Sequence, residues 1–222
     1  LYDFCRIIDN IADDEGDLGT KKKKFIEFKK SFFNKDFSFE KIEKMWKLID
    51  EFSISTKIIE DLFDGVESDL KDKVRINDKS ELLVYSYRVA GTVGLMMAKI
   101  FGVKKKESLQ RAIDLGIAMQ LTNIARDVVE DEKKNRVYLI KSSNDIFKSI
   151  KNIILKADSF YDSSFEGIRD IPLNSRFSII VARRVYRQIG KKILDKKDIQ
   201  NYRQSGKIYV SNFGKVIQTL FS

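Results

Sequence analysis

Two pairs of aspartates with the same spacing lie far apart in this chain, Asp9 with Asp13 and Asp127 with Asp131. Each pair falls in a stretch with helical periodicity, and side chains four apart on an α-helix share one face. Like charges at this spacing weaken a helix, so a cation is expected to compensate them. Helices from distant parts of the chain can hold one cluster of Mg²⁺ only by facing each other. A lone pair of this kind is usually a solvated acidic face, and the neighbouring residues decide between the two interpretations.

The residues around the second pair favour a helix that lines a cavity. At helical spacing, a narrow polar stripe runs through Gly116, Gln120, Asn123, Asp127 and Asp131. Apolar residues flank the stripe, with Leu115 and Met119 on one side and Ile113, Ile117, Leu121, Ile124 and Val128 on the other. The polar face of a surface helix is instead broad and open to water. Buried carboxylates cost several kcal/mol unless they are paired or bound to metal, so the stripe again predicts a cation.

The first pair has a similar setting. Tyr2, Arg6, Asp9 and Asp13 share one helix face, with Cys5 beside them. The planar guanidinium of Arg6 is suited to phosphate oxygens. An ion pair of Arg6 with a nearby aspartate on the same helix is an equally good interpretation of this residue alone.

A third segment, Tyr85 to Ala98, places small residues on one face of a helix. Tyr87, Gly91, Gly94 and Ala98 share that face at helical spacing. Such residues let another helix or a long apolar ligand approach the backbone, although each mid-helix glycine costs about 1 kcal/mol relative to alanine. A ligand groove below Tyr87 and simple tight helix packing are both consistent with the pattern.

The chain as a whole is predicted to be one all-α domain spanning residues 1–222, because it has a single proline and no alternating strand pattern. The segment 16–35, with its run of four lysines, is predicted to be a loop. The periodicity predicts helices at about residues 1–15, 39–52, 54–72, 80–101, 106–131, 144–166, 174–194 and 207–221.

Composition excludes several classes of function. The chain has no histidine and one cysteine, which argues against zinc sites, histidine general bases and disulfides and favours a reducing compartment. The net charge of +9 does not indicate nucleic-acid binding, because the lysines are scattered and lack interleaved aromatics. Peripheral attachment to anionic lipid is one use for this charge, and a lysine-rich surface without a specific role is the alternative. The expected location is the cytoplasm, with peripheral attachment to the inner membrane left open.

Three segments resemble the squalene/phytoene synthase family, and bacterial phytoene synthases in particular. They are Tyr2 to Asp14, Tyr85 to Ala98 and Leu115 to Tyr138, and the likeness is strongest in residues 91–97 and 118–127. Two positions depart from the family pattern: Asn10 stands where a second acidic residue is usual, and Ile140 replaces a proline. The resemblance implies the all-α isoprenoid synthase fold, a helical bundle around a central apolar cavity. It also implies two helices before Leu1, so we expect the sequence to be N-terminally incomplete.

The resemblance also implies a reaction, the head-to-head condensation of two geranylgeranyl diphosphates to phytoene through a cyclopropyl diphosphate. Mg²⁺, or Mn²⁺ in its place, is then held by the four aspartates and neutralises the leaving diphosphate, while the basic run 133–136 closes over it or remains a solvated loop. The residues implied for the reaction are Asp9, Asp13, Asp127, Asp131 and Tyr87. Those implied for substrate binding are Tyr2, Arg6, Val89, Ala90, Gly91, Gly94, Gln120, Asn123, Arg126, Arg136 and Tyr138.

Two alternatives stay open at this point. A related enzyme of the same family would take farnesyl diphosphate and form presqualene diphosphate, squalene or dehydrosqualene, because sequence alone does not give the depth of the cavity. Some relatives are instead non-catalytic assembly factors for respiratory complexes. Intact aspartate pairs argue against that second alternative, since a scaffold has no need of them.

Overall fold

Residues 1–13, 16–140 and 145–211, which the computed structural model describes, form eleven α-helices and one very small sheet. The helices are α1 (Tyr2–Asp13), α2 (Leu18–Phe33), α3 (Glu40–Glu51), α4 (Thr56–Glu67), α5 (Lys79–Ser86), α6 (Thr92–Ile100), α7 (Lys106–Arg126), α8 (Val128–Lys133), α9 (Ile146–Ile168), α10 (Leu173–Leu194) and α11 (Ile199–Gln204). A π-helical turn, Tyr87–Gly91, joins α5 to α6. The strands β1 (Val74–Arg75) and β2 (Arg136–Val137) pair in parallel. The all-α fold expected from the sequence is confirmed.

Helices α1 to α4 share an aromatic core. Phe4, Phe32 and Phe63 are almost fully buried, and the ring centroid of Phe4 lies 5.2 Å from that of Phe32 and 6.1 Å from that of Phe63. Phe4 and Ile8 are four residues apart and both are buried, so one face of α1 packs against this core. The face that carries Asp9 and Asp13 is thereby turned away from it.

Helix α7 is the centre of the second half of the molecule. It packs along α9 and also contacts α6, α10 and the π-helical turn. Ile117, Ala118 and Leu121 of α7 meet Ile150 and Ile154 of α9 in one buried cluster. Because this face of α7 is apolar and fully packed, its polar stripe points to the other side, toward α1 and α5.

Glycines let the π-helical turn lie against two neighbouring helices. A Cβ added at Gly65 of α4 would lie 2.8 Å from side-chain atoms of Arg88 and Val89, and one added at Gly116 of α7 would lie 2.3 Å from the carbonyl oxygen of Ala90. Likewise, a Cβ at Gly94 would lie 2.3 Å from the carbonyl oxygen of Ala112. Backbone therefore packs against backbone here, which is the tight helix packing that the small residues of this segment allow.

Gly116→Ala is expected to destabilise the protein by about 2 kcal/mol, because the added methyl meets a backbone oxygen that moves only if the helices separate. Gly190→Ala is the matched control, since its Cβ would meet only the side chain of Ile154, at 3.1 Å. Urea unfolding of both variants measures the difference. Equal stability of the two variants would contradict the close packing of α7 on the π-helical turn.

The predicted loop at 16–35 was wrong, because α2 occupies most of it. Asp17 caps this helix by accepting from the Thr20 backbone N–H at 2.9 Å. Phe25, Phe28 and Phe32 follow at helical spacing and pack into the aromatic core. Lys22, Lys23 and Lys24 of the lysine run are exposed while Phe25 is buried, so the run is compatible with a helix and the prediction gave it too much weight.

Other predicted boundaries were also wrong. The predicted helix 80–101 is interrupted by the π-helical turn, and 54–72 ends at Glu67. The predicted helix 106–131 breaks at Asp127, and its freed carbonyl groups at Ala125 and Arg126 each accept a hydrogen bond from the Tyr202 hydroxyl, at 2.8 Å. Residues 207–211 are not helical, and the rest of that last predicted helix lies outside the described residues. Helix α11 and the two short strands were not predicted.

Within the described ranges, no helix has the length and apolar composition needed to cross a bilayer.

Candidate active site

Both aspartate pairs line one polar cavity of about 280 Å³, here called the acidic cavity. Asp9 and Asp13 reach it from α1, whereas Asp127 reaches it from the break between α7 and α8 and Asp131 from α8. The remaining lining residues are Ala12, Val66, Asp69, Tyr85, Val89, Gln120, Asn123, Ile124, Arg126, Arg136 and Tyr138. The fold thus brings two aspartate pairs that are more than a hundred positions apart in sequence to the same cavity.

Arginines hold one carboxylate of each pair. Arg136 Nη1 donates to Asp13 Oδ1 at 2.7 Å, and Arg126 donates to both oxygens of Asp127, at 2.7 and 2.5 Å. Lys134 adds a second cation 3.5 Å from Asp13 Oδ1. The basic run that follows α8 therefore reaches across the cavity to α1. Although burial works in the opposite direction, these contacts from Arg136 and Lys134 hold the pKa of Asp13 below its usual value.

The other carboxylate of each pair is not ion-paired within the described part of the chain. Burial and then the charge of Asp127 raise the pKa of Asp131 to about 7. Asp9 is exposed, yet the protein atoms around it displace enough water to raise its pKa to about 6, and the negative charge of Asp13 adds to this shift. Without a bound cation, the fold therefore disfavours the charged forms of Asp9 and Asp131.

The stability of the metal-free protein is expected to fall as pH rises from about 5 to about 8. Asp9 and Asp131 have folded pKa values of about 6 and about 7, above the ordinary aspartate value of 3.8, so each binds its proton more tightly in the folded state. Their contribution is present below the unfolded pKa and is lost as pH passes the folded one. Melting temperatures measured across this range, in the wild type and in an Asp9→Asn, Asp131→Asn double variant, test this. A wild-type slope no steeper than that of the double variant would contradict it.

A buried hydrogen-bonded cluster forms one wall of the acidic cavity. The carboxylate of Asp69 accepts from the Tyr85 hydroxyl at 2.8 Å and from the Tyr138 hydroxyl at 2.6 Å. The two tyrosine rings stack, with centroids 4.8 Å apart. Burial raises the pKa of Asp69 even though both hydroxyl groups work against it, and burial also raises the pKa of both tyrosines. The hydroxyls are consequently held protonated and in fixed positions.

A larger, mainly apolar cavity of about 610 Å³ adjoins the acidic one and is here called the apolar cavity. It extends along α7 from Asn123 to Ser108, a helical rise of about 22 Å at 1.5 Å per residue. Its walls come from α1, α6, the end of α9 and α10, and include Val93, Met97, Leu115 and Met119. No aspartate or glutamate lines it in the described ranges.

Val89, Gln120 and Asn123 line both cavities and so form the neck between them. The side-chain oxygen of Asn123 is shielded from solvent and has no hydrogen-bond partner among the described residues. A buried polar atom without a partner is costly. This atom is accordingly available to a ligand that passes through the neck.

Most of the predicted site residues line one of these cavities. Tyr2, Ala90 and Gly94 line the apolar cavity, and Arg126, Arg136 and Tyr138 line the acidic one. Arg6, Tyr87 and Gly91 line neither. Arg6 is exposed, Gly91 packs against Ile113, and the Tyr87 hydroxyl donates to Asp61 at 3.1 Å, toward α4.

Sequence reasoning missed two residues that line the acidic cavity and one cation beside it. Asp69 and Tyr85 were not singled out, although Tyr85 opens the third segment. Lys207 lies beyond α11, and its Nζ is 3.5 Å from Asp127 Oδ1 and 3.0 Å from Glu130 Oε2. Helical spacing gives no signal for Asp69 or Lys207, because each sits in a non-helical segment and reaches the cavity only through the fold.

The chain that forms these two cavities is similar to known proteins. A model of the squalene/phytoene synthase family matches residues 1–142. The chain belongs to this family. It is 30% identical to the 15-cis-phytoene synthase of Pantoea ananas over 87% of this chain and 72% of that enzyme. It is 37% identical to that of Paracoccus sp. over 65% of this chain and 51% of that enzyme.

Solved structures of this family share the fold. A dehydrosqualene synthase in complex with ligand superimposes with a TM-score of 0.75 at 24% identity, over 99% of this chain and 82% of the other. The squalene synthase HpnC from Alicyclobacillus acidocaldarius superimposes with a TM-score of 0.73 at 17% identity, over 90% of this chain and 81% of the other. The isoprenoid synthase fold and the enzyme class expected from the sequence, a prenyltransferase of the phytoene synthase type, are confirmed.

Proposed function

We propose that this protein condenses two molecules of geranylgeranyl diphosphate head to head and forms phytoene through a cyclopropyl diphosphate. The observation that carries the proposal is the pairing of the two cavities. An acidic cavity suits a metal-bound diphosphate, and the apolar cavity that opens from it through the neck suits a prenyl chain. The likeness to named phytoene synthases supports the same substrate class.

The residues of the acidic cavity fit Mg²⁺. Carboxylate oxygens are the protein ligands that this ion prefers, together with water and substrate phosphate oxygens. Asp9, Asp13, Asp127 and Asp131 offer them from two sides, and the raised pKa values of Asp9 and Asp131 reflect a charge that lacks compensation. In the described ranges no three acidic side chains converge on one point. When bound, Mg²⁺ would neutralise negative charge on the leaving group.

Cationic side chains would assist the departure of diphosphate. Arg126 and Arg136 line the cavity and already hold carboxylates, while Lys207 stands 3.5 Å from Asp127. These groups are positioned before the reaction, so they stabilise developing charge without reorganisation. At the neck, the free oxygen of Asn123 and the amide of Gln120 would orient the diphosphate or its bound water.

The carbon chemistry would take place at the neck and in the apolar cavity. Loss of the first diphosphate leaves an allylic cation, which the double bond of the second molecule attacks, and loss of a proton closes the cyclopropane. Loss of the second diphosphate, rearrangement and loss of another proton then give phytoene without a reductant. Apolar walls exclude water from these cations. Tyr85, held by Asp69 at the cavity wall, would stabilise charge or direct proton loss in place of Tyr87, which the resemblance implied for the reaction.

The length of the apolar cavity favours the longer substrate. Four isoprene units bury more apolar surface than three, at about 25 cal/mol per Å², provided that the cavity accepts the last unit. The cavity runs along most of α7, which gives room at its far end near Ser108. A farnesyl chain would leave that end empty.

Incubation of the protein with geranylgeranyl or farnesyl diphosphate and Mg²⁺, without NADPH, tests the proposal. The expected result is phytoene from the C20 substrate, identified by chromatography and mass spectrometry. Preference for farnesyl diphosphate would move the assignment to the presqualene, squalene or dehydrosqualene branch. Absence of turnover with both substrates, in protein shown to be folded, would favour a non-catalytic role and overturn the proposal.

A further inference from the structure

The chain turns sharply between α8 and β2, and Asn135 is the residue at this turn. Its backbone is left-handed, with a φ of 57°. Glycine and asparagine adopt this conformation readily at the end of a helix, whereas β-branched residues rarely do. The Asn135 N–H donates to the carbonyl oxygen of Glu132 at 3.1 Å, which closes the last turn of α8. The Asn135 side chain is exposed, so its backbone conformation is what the fold uses.

The strand that begins after this turn is fixed to β1. The Asn135 carbonyl oxygen accepts from the Val74 N–H at 3.2 Å, and the Val137 carbonyl oxygen accepts from the Ile76 N–H at 3.0 Å. Val74 and Ile76 are both buried, so β1 is itself anchored in the core. Tyr138, directly after β2, is buried as well. The backbone of β2 is therefore held in place on both sides.

The two basic side chains next to Asn135 reach the same carboxylate. Arg136 Nη1 and Lys134 Nζ lie 2.7 and 3.5 Å from Asp13 Oδ1, across the acidic cavity. Arg136 Nη2 also donates to the carbonyl oxygen of Ala12 at 3.3 Å, near the end of α1. A guanidinium group has more N–H donors than these two contacts use. Because Arg136 lines the acidic cavity, its other donors are placed to meet phosphate oxygens there.

We propose that Asn135 is a positioning residue for diphosphate binding, an inference that rests on the proposed function. Its left-handed backbone directs the chain out of α8 and along β1, and this holds the Arg136 guanidinium at the acidic cavity before substrate arrives. A group that is fixed in advance stabilises charge without reorganisation. A residue that cannot hold the left-handed conformation would release β2 from β1, and Arg136 would lose its fixed position.

Calorimetry with inorganic diphosphate in the presence of Mg²⁺ tests the proposal. Asn135→Val should raise the dissociation constant about tenfold, because the charge-assisted contacts from Arg136 are misplaced. Asn135→Gly should bind within about twofold of the wild type, since glycine adopts the left-handed conformation freely. Wild-type affinity in Asn135→Val, an equal loss in Asn135→Gly, or no binding by the wild type would overturn the proposal.

Ser53→Val is the matched control for backbone strain. Ser53 has a φ of 49° in the turn after α3 and lines neither the acidic nor the apolar cavity. Both valine variants should lose a similar amount of thermal stability, but Ser53→Val should keep the wild-type affinity for diphosphate. Equal losses of affinity in the two variants would show a general effect of strain and overturn the role of Asn135.

Amide hydrogen exchange in the metal-free protein separates the position of the strand from the reaction. The Val74 and Ile76 amides donate to the turn and to β2, so Asn135→Val should speed their exchange about tenfold, and Ser53→Val should leave it unchanged. Asn135→Ala replaces the valine variant if that chain does not fold. Unchanged exchange would overturn the proposal. Diphosphate binding without turnover of prenyl diphosphates in the wild type would instead overturn the proposed function and leave the positioning role supported.

Discussion

Asp9→Asn is expected to lower kcat by about 100-fold or more while leaving the helical fold intact. The substitution keeps the shape of the side chain and removes the charge that would bind metal. In the metal-free protein the charged form of Asp9 is already disfavoured, since the pKa of this carboxyl group is raised to about 6. The melting temperature at neutral pH should therefore stay the same or rise. Steady-state kinetics with saturating Mg²⁺ and thermal unfolding measure the two effects.

Asp3→Asn is the matched control for that prediction. Asp3 lies on the same helix and is paired with Lys41 at 2.6 Å, away from both cavities. Its loss should leave kcat within about twofold of the wild type, because an exposed ion pair contributes little. Equal kcat values for Asp9→Asn and the wild type would remove α1 from the metal site, and an equal drop in both variants would indicate a general effect on the helix.

Leu115→Trp is expected to shorten the prenyl chain that the protein accepts. Leu115 lines the apolar cavity about midway along α7, and it is only partly buried because its side chain faces that space. A larger ring there should fill the route to the far end. One methylene in an apolar pocket changes specificity about 10- to 200-fold, so a blocked isoprene unit should lower kcat/KM for geranylgeranyl diphosphate about 100-fold or more. The value for farnesyl diphosphate should fall much less.

Leu155→Trp controls for the added bulk, since Leu155 is exposed on α9 and lines neither of these two cavities. It should leave the ratio of kcat/KM values for the two substrates unchanged. If Leu115→Trp also leaves this ratio unchanged, the prenyl chain does not run along α7. Equal losses for both substrates, with a lowered melting temperature, would indicate misfolding, and Leu115→Phe would then provide the smaller change.

Sequence periodicity predicted the helices whose apolar faces are regular. The stripe on α7 is an example, because a straight helix carries Gly116, Gln120 and Asn123 to one side in space as in sequence. The same reasoning failed at the third segment. The π-helical turn at 87–91 shifts the helical register, so Tyr87 turns to Asp61 while Tyr85 faces the acidic cavity. A local irregularity of this kind cannot be read from the spacing of side chains.

Parts of the site that depend on tertiary packing were also beyond sequence reasoning. Asp69 follows α4 in a turn, and nothing in its neighbours marks it as the acceptor for two distant tyrosines. The two strands that bring Arg136 toward α1 are two residues each, too short for an alternating pattern. Such contacts exist only because the helices are already packed, whereas the spacing within one helix is a local property.

A structure with Mg²⁺ and a non-hydrolysable geranylgeranyl thiodiphosphate tests most directly the claim that the two cavities form one active site. The expected result is metal-bound diphosphate between the Asp9, Asp13 pair and the Asp127, Asp131 pair, with the chain passing Asn123 and lying along α7. A diphosphate bound away from these carboxylates, or a prenyl chain outside the apolar cavity, would contradict the account.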